Sequence, residues 1–214
     1  MELNKYIDHT LLKATTTLSD IHKLCAEAVE NNFCAVCVNP CYVSAAKKAL
    51  QGSNIKVCTV IGFPLGQNTT ETKCFEAQNA IDNGADEIDM VINIGAAISG
   101  DFDYVKKEIA AIRGISRKKT LKVIAETCYL STEQITKLTQ LCVAAGADFI
   151  KTSTGFSTRG ASLDDVKTMA AAANNAIKIK ASGGIKTKEF AEELINAGAV
   201  RIGTSSGVAL VSKE

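Results

Sequence analysis

Along the chain, apolar residues keep switching between two spacings. Ile21, Leu24, Cys25, Ala28 and Val29 fall three and four apart, the stripe of a helix that Thr17 can cap. Phe33 to Val38 follows as a compact branched run, which predicts a strand. Asn39-Pro40 then supplies a cap and a first-turn proline for a helix ended by Gly52. The alternation continues with a strand at 56–61, a helix at 70–83 stopped by Gly84, and a strand at 87–94. Gly95 to Gly100 reads as a loop, and Asp101 caps a helix to about Ile115. A strand at 121–126 precedes the capping box Ser131-Thr132-Glu133-Gln134 and its stripe Ile135, Leu138, Leu141 and Cys142. Gly146 stops that helix before a strand through Phe149-Ile150-Lys151. Helices at 162–173 and 187–196 and strands at 176–180 and 200–203 complete the pattern.

Three stretches repeat the same join: Gly84-Ala85-Asp86-Glu87-Ile88, Gly146-Ala147-Asp148-Phe149-Ile150 and Gly198-Ala199-Val200-Arg201-Ile202. Each is a helix stop followed at once by a strand. Counting the short extended segment at 6–12, eight strand-like segments alternate with helices, and no composition shift marks a boundary. The expected architecture is therefore α/β: a single (β/α)8 TIM barrel over residues 1–214, in a short form of a fold that typically takes ~250 residues. A doubly wound open sheet is the alternative; it usually needs fewer strands, and no G-x-G-x-x-G follows the first strand.

Charge narrows the partners. With 24 basic and 23 acidic residues, the chain has no field suited to nucleic acid or a membrane surface, and Arg117-Lys118-Lys119 reads as a solvated loop. Met1 to Tyr6 lacks a signal-peptide apolar region, and no apolar run approaches ~18 residues. The eight cysteines lie in periodic segments, so reduced thiols and a cytoplasmic location are expected. Cys34-Ala-Val-Cys37 has redox or zinc spacing, yet it sits in a strand-like run with no second CxxC, so core packing is the expected role.

Strand parity then gathers the chemistry. In 87–93, Ile88, Met90 and Ile92 suit a helix-facing row, leaving Asp89, Val91 and Asn93 on the other face. The same logic turns Glu126 and Lys180 inward, and gives Lys151 the parity of Phe149. Asp89, Glu126, Lys151 and Lys180 would thus stand at the strand ends where barrels build active sites. A structural ion-pair network is the competing reading, but four such residues favour chemistry. Two lysines on neighbouring strands each disfavour the other's protonated state, as does burial, which would leave one a free amine. After the last two strands come Ala181-Ser182-Gly183-Gly184-Ile185-Lys186 and Gly203-Thr204-Ser205-Ser206-Gly207. Such glycine- and hydroxyl-rich loops let backbone N–H groups approach an anion, and barrels often hold a phosphate there. Lys186 either adds charge or is a solvated lysine at a helix start.

The segment Phe149-Ile150-Lys151-Thr152-Ser153-Thr154-Gly155-Phe156 closely resembles the Schiff-base motif of the deoxyribose-phosphate aldolases. The likeness extends through Ile7 to Leu12, Glu87 to Asn93, Leu121 to Thr127, Lys180 to Ile185 and Arg201 to Ser206. It implies a class I aldolase without metal or other cofactor, splitting 2-deoxy-D-ribose 5-phosphate into D-glyceraldehyde 3-phosphate and acetaldehyde. The resemblance makes Lys151 the imine former, Lys180 the lysine that tunes it and Asp89 the acid/base carboxylate. Gly155, Gly183, Gly184, Gly203, Ser205 and Ser206 would surround the phosphate, with Asp8, Cys37, Glu126, Thr152 and Lys186 in support. The bond expected to break in that sugar is C3–C4. Some members carry a lysine where this chain has Phe156. The expected partners are a sugar phosphate and, for assembly, a second copy in a homodimer.

Overall fold

The computed structural model describes residues 1–212. Its centre is a closed barrel of eight strands paired in sequence order: β1 (Ile7–Leu11), β2 (Ala35–Val38), β3 (Lys56–Ile61), β4 (Glu87–Val91), β5 (Thr120–Ile124), β6 (Phe149–Lys151), β7 (Lys178–Ser182) and β8 (Arg201–Thr204). Every neighbouring pair is parallel, including β1 with β8, so no sheet edge is left open. Around it lie α1 (Leu18–Glu30), α2 (Val43–Ala49), α3 (Thr70–Asp82), α4 (Ile94–Ser99), α5 (Phe102–Ser116), α6 (Thr132–Ala144), α7 (Leu163–Ala173), α8 (Lys188–Asn196) and α9 (Gly207–Val211). This is a single (β/α)8 TIM barrel. Among the described residues no helix is long and apolar enough to cross a membrane.

Capping chemistry sets several boundaries. Thr17 accepts from the backbone N–H of Asp20 at 3.3 Å while Asp20 accepts from Thr17 N–H at 2.8 Å, and Ser131 with Gln134 repeats the arrangement at the start of α6. Three sequence expectations need correction. Residues 95–100 are not a loop: Asn93 accepts from Ala96 N–H at 3.0 Å and caps the short α4, which ends on left-handed Gly100. β4 accordingly stops at Val91 rather than continuing to residue 94. β5 stops at Ile124, so Glu126 belongs to no strand and its backbone is left-handed, with φ 54°.

Two apolar layers hold the fold. Outward strand residues such as Ile88, Met90, Val123, Ile150 and Ile179 join Ile21, Leu24, Ile109, Leu138 and Met169 from the helices. Inside the barrel, Leu12, Cys37, Cys58 and Val60 form a smaller cluster with Phe63 packed against it. Between helices and barrel, the buried Lys73 of α3 donates to Gly66 O at 2.8 Å, Val91 O at 2.9 Å and Glu108 at 2.6 Å. Glu108 in turn accepts from Asn93 N–H at 2.9 Å. That ammonium therefore fastens the loop after β3 to the end of β4.

Candidate active site

Inward rows of six strands bring seven charges together. On β6 and β7, Lys151 and Lys180 are register partners, as are Asp89 and Lys122 on β4 and β5. Asp89 Oδ2 accepts from Lys151 Nζ at 2.7 Å and Lys180 Nζ at 2.9 Å, while its Oδ1 accepts from Lys122 Nζ at 2.9 Å. Lys180 also donates to Asp8 at 2.5 Å, and Lys122 to Glu87 at 2.5 Å. Arg201 closes the layer below, donating to Asp8 at 2.5 Å and to Glu87 at 3.1 Å. Phe149 lies beneath, its ring centre 5.5 Å from the Arg201 guanidinium.

Position separates the lysines. Lys122 and Lys180 are fully buried, whereas Lys151 reaches the wall of an open cavity. Burial works against the charge on Lys180, but Asp8 and Asp89 outweigh it and push its pKa well above the ordinary lysine range. Lys122 is raised in the same way against burial, with Asp89 foremost and Glu87 contributing. Asp89 is held well below the usual carboxylate range: burial opposes this, and Lys122, Lys151 and Lys180 prevail. The expectation that the two neighbouring lysines discharge one another thus does not extend to Lys180. Two carboxylates hold it, and it stays protonated.

Above this layer opens a cavity of about 340 Å³. Lys151 contributes to its lining, with Thr154, Gly155 and Phe156 on one side, Ser182, Gly183, Gly184 and Lys186 on a second, and Gly203, Ser205 and Ser206 on a third. All six positions expected around a phosphate, and Lys186, therefore border one space. Close backbone packing explains two of the glycines. A Cβ on Gly160 would stand 2.0 Å from Gly183 O, and Gly183 has φ +86°, which side chains rarely adopt. Gly203 is small because the Lys180 side chain crosses it, with Cε 3.0 Å from where a Cβ would lie.

The remaining expected residues are more scattered in their contacts. Thr152 ties β6 to β7, its hydroxyl donating to Ser182 O at 3.2 Å and accepting from Ser182 N–H at 3.1 Å. Cys37 is buried opposite its register partner Cys58, and a hydrogen bond with Cys58 lowers its thiol pKa against the effect of burial. Those two sulfurs and an Asp89 oxygen lie within 4.8 Å of one another, which would suit a thiophilic ion. Ammonium groups already occupy both Asp89 oxygens, however, so the charge a metal would bring is present as lysine. Glu126 stands outside the charge layer and accepts instead from the loop after β6. Lys122, Glu87 and Arg201 were not anticipated as members of the cluster. The one signal for Lys122 was its parity, which it shares with Glu126.

A buried lysine opening into a glycine-walled chamber at the C-terminal mouth of the strands defines an aldolase-type barrel enzyme. Comparison with known proteins gives the same class. The sequence model of the DeoC/LacD family aldolases matches residues 3–213, and the chain belongs to that family. A protein named deoxyribose-phosphate aldolase from Finegoldia magna is 56% identical over 211 residues, covering 99% of each chain. The crystal structure of a putative deoxyribose-phosphate aldolase from Coccidioides immitis is 43% identical, with a TM-score of 0.96 over 98% of this chain and 84% of that one. A deoxyribose phosphate aldolase from Aeropyrum pernix, described as a unique tetramer, is 34% identical with a TM-score of 0.91, over 97% of this chain and 88% of that one.

Proposed function

We propose that this enzyme cleaves 2-deoxy-D-ribose 5-phosphate reversibly to D-glyceraldehyde 3-phosphate and acetaldehyde through an imine on Lys151. The observation that carries the reading is the placement of Lys151. Of the three lysines on Asp89, it lines the cavity, with the glycine loops that suit a phosphate around the same space. Three carboxylates, Asp8, Glu87 and Asp89, face four cations, Lys122, Lys151, Lys180 and Arg201. Releasing the Lys151 proton to the cavity brings that cluster to neutrality and frees a nucleophile.

The amine adds to the C1 aldehyde of the open-chain sugar, and loss of water leaves a protonated imine. Carbon bookkeeping corrects the expected bond: the products hold two and three carbons, so C2–C3 breaks, not C3–C4. C2 is adjacent to the imine carbon, and the electron pair of the C2–C3 bond flows into the C=N⁺ group to give an enamine. The C3 hydroxyl loses its proton as C3 becomes the aldehyde of glyceraldehyde 3-phosphate. Protonation of the enamine at C2 and hydrolysis then release acetaldehyde. Asp89, with three ammonium donors and a depressed pKa, is a poor store for a proton. It holds Lys151 and Lys180 in place, and a water entering the cavity beside it would carry the proton. Lys180 keeps its charge, held by Asp8 and Asp89. No step calls on a metal. All eight cysteines are free thiols, which supports action in a reducing compartment such as the cytoplasm.

Borohydride quenching during turnover tests the reading. A mass increment of one reduced adduct on the peptide carrying Lys151 is expected, together with loss of turnover in Lys151→Arg. An unmodified Lys151 peptide, or an active arginine variant, would sink it.

A further inference from the structure

Glu126 combines three features that a solvent-facing carboxylate would not. It is fully buried, and its backbone is left-handed (φ 54°, ψ 62°), a conformation that side-chain-bearing residues rarely adopt. Its carboxylate also accepts three hydrogen bonds from one short segment. Thr154 N–H donates to Oε1 at 3.1 Å, the Thr154 hydroxyl donates to Oε2, and the Ser157 hydroxyl donates to Oε2 at 2.9 Å. Those donors bracket Gly155, whose φ of +88° sets the turn at the cavity wall. Glu126 itself does not line the cavity. Its charge is spent behind the loop, away from any anion in front.

A second tie reinforces this one. The Thr127 hydroxyl donates to Asp165 at 2.8 Å, and Arg159 bridges Asp165 and Thr127 O. The turn so fixed packs directly on the next glycine loop: a Cβ on Gly183 would stand 3.3 Å from the Cα of Gly155. The strained residue after β5 therefore sets the spacing between two of the glycine-bearing loops around the cavity.

We propose that Glu126 is a positioning residue for phosphate recognition. It holds the Thr154–Ser157 turn so that the backbone at Gly155 faces the phosphate of the substrate, and it takes no part in carbon chemistry. This rests on the deoxyribose 5-phosphate reading of the site. It makes Glu126 a determinant of phosphorylated over unphosphorylated substrate, rather than the inward-facing member of the charge cluster that strand parity suggests.

The test compares kcat/KM for 2-deoxyribose 5-phosphate and for 2-deoxyribose in wild type, Glu126→Gln and Glu126→Ala. Alanine shares the unfavourable left-handed backbone, so the comparison isolates the carboxylate. In Glu126→Ala the ratio of the two values should fall on the order of 100-fold, mostly through KM for the phosphorylated sugar. The inhibition constant for inorganic phosphate should rise in parallel. Glu126→Gln, which keeps an acceptor for Thr154 N–H, should lie between. Should the alanine variant fail to fold, Ser157→Ala removes one donor from outside the loop's core and should shift the ratio the same way by less. Equal loss on both substrates, or an unchanged ratio and phosphate inhibition constant, would overturn the proposal. A wild-type enzyme that binds inorganic phosphate but leaves deoxyribose 5-phosphate intact would instead refute the substrate. The dissociation constant of inorganic phosphate, measured by calorimetry in wild type and variants, would still decide the role of Glu126.

Discussion

Replacing Asp8 by asparagine probes how the charge layer is held. The carboxylate accepts from Lys180 and Arg201 at 2.5 Å each, and Lys122 Nζ is 3.9 Å away. Asparagine keeps the shape and one acceptor but deletes the charge, leaving two carboxylates against four cations. Removing one member of a buried ion pair typically costs ~3–5 kcal/mol. Because Lys180 retains Asp89 and Arg201 retains Glu87, the lower end, about 3 kcal/mol, is the expected loss. For a chain of this length that corresponds to a fall in Tm of roughly 6–12 °C. The loss has a pH signature. Burial raises the Asp8 pKa, but Lys180, Arg201 and Lys122 bring it well below the ordinary value of 3.8. A depressed folded-state pKa stabilises fully above the unfolded value, and that stabilisation fades as pH falls below it toward the folded value. The gap in Tm between wild type and Asp8→Asn should therefore be largest near neutrality and start to shrink below about pH 3.8. Circular-dichroism melts at pH 7, 5 and 3 measure it. A gap under 2 °C at pH 7, or one that widens in acid, would refute the account.

Three further outcomes follow from the same contacts. Lys151→Leu should abolish turnover yet leave Tm unchanged or higher, because it removes a buried cation held by one acceptor and leaves three carboxylates facing three cations; melting and activity assays together check this. Gly160→Ala should destabilise by ~1–3 kcal/mol and raise KM, since its methyl would meet Gly183 O at 2.0 Å and push the loops apart; urea titration and steady-state kinetics read both effects. Lys73→Met should cost ~3–5 kcal/mol by stranding the buried Glu108 and two carbonyl oxygens, seen as a lower denaturant midpoint.

Much of the architecture could be read from local chemistry. The Gly-Ala-Asp joins before β4 and β6 marked each helix-to-strand turn, and the alternation at Ile88, Asp89 and Met90 put Asp89 inside correctly. The parity of Lys180 was legible for the same reason: Ile179 packs outward among the helices. What eluded the sequence depended on where strands end and on charge summed over the whole barrel. Two glycines bracketing 95–100 looked like loop punctuation, but Gly95 lies inside α4 and only Gly100 is a left-handed stop. Parity carried Glu126 inward on the premise of a strand two residues longer than β5. The resemblance gives Asp8 only a supporting place; its hold on the charge of Lys180, 172 positions away in sequence, comes with closure of the barrel. Lys122, Glu87 and Arg201 were invisible for that reason too: each looks like a strand-end charge until eight strands close into a ring.

The layer of Asp8, Glu87, Lys122, Lys180 and Arg201 beneath Lys151 also plugs the tube, making it blind-ended. Whatever enters must leave by the same doorway, so traffic is strictly last in, first out. On the proposed reading, the fragment bearing the phosphate would depart ahead of the two-carbon piece bonded to Lys151. Run in reverse, the proposed reaction would load the two-carbon piece before its partner, an order imposed by the shape of the tube.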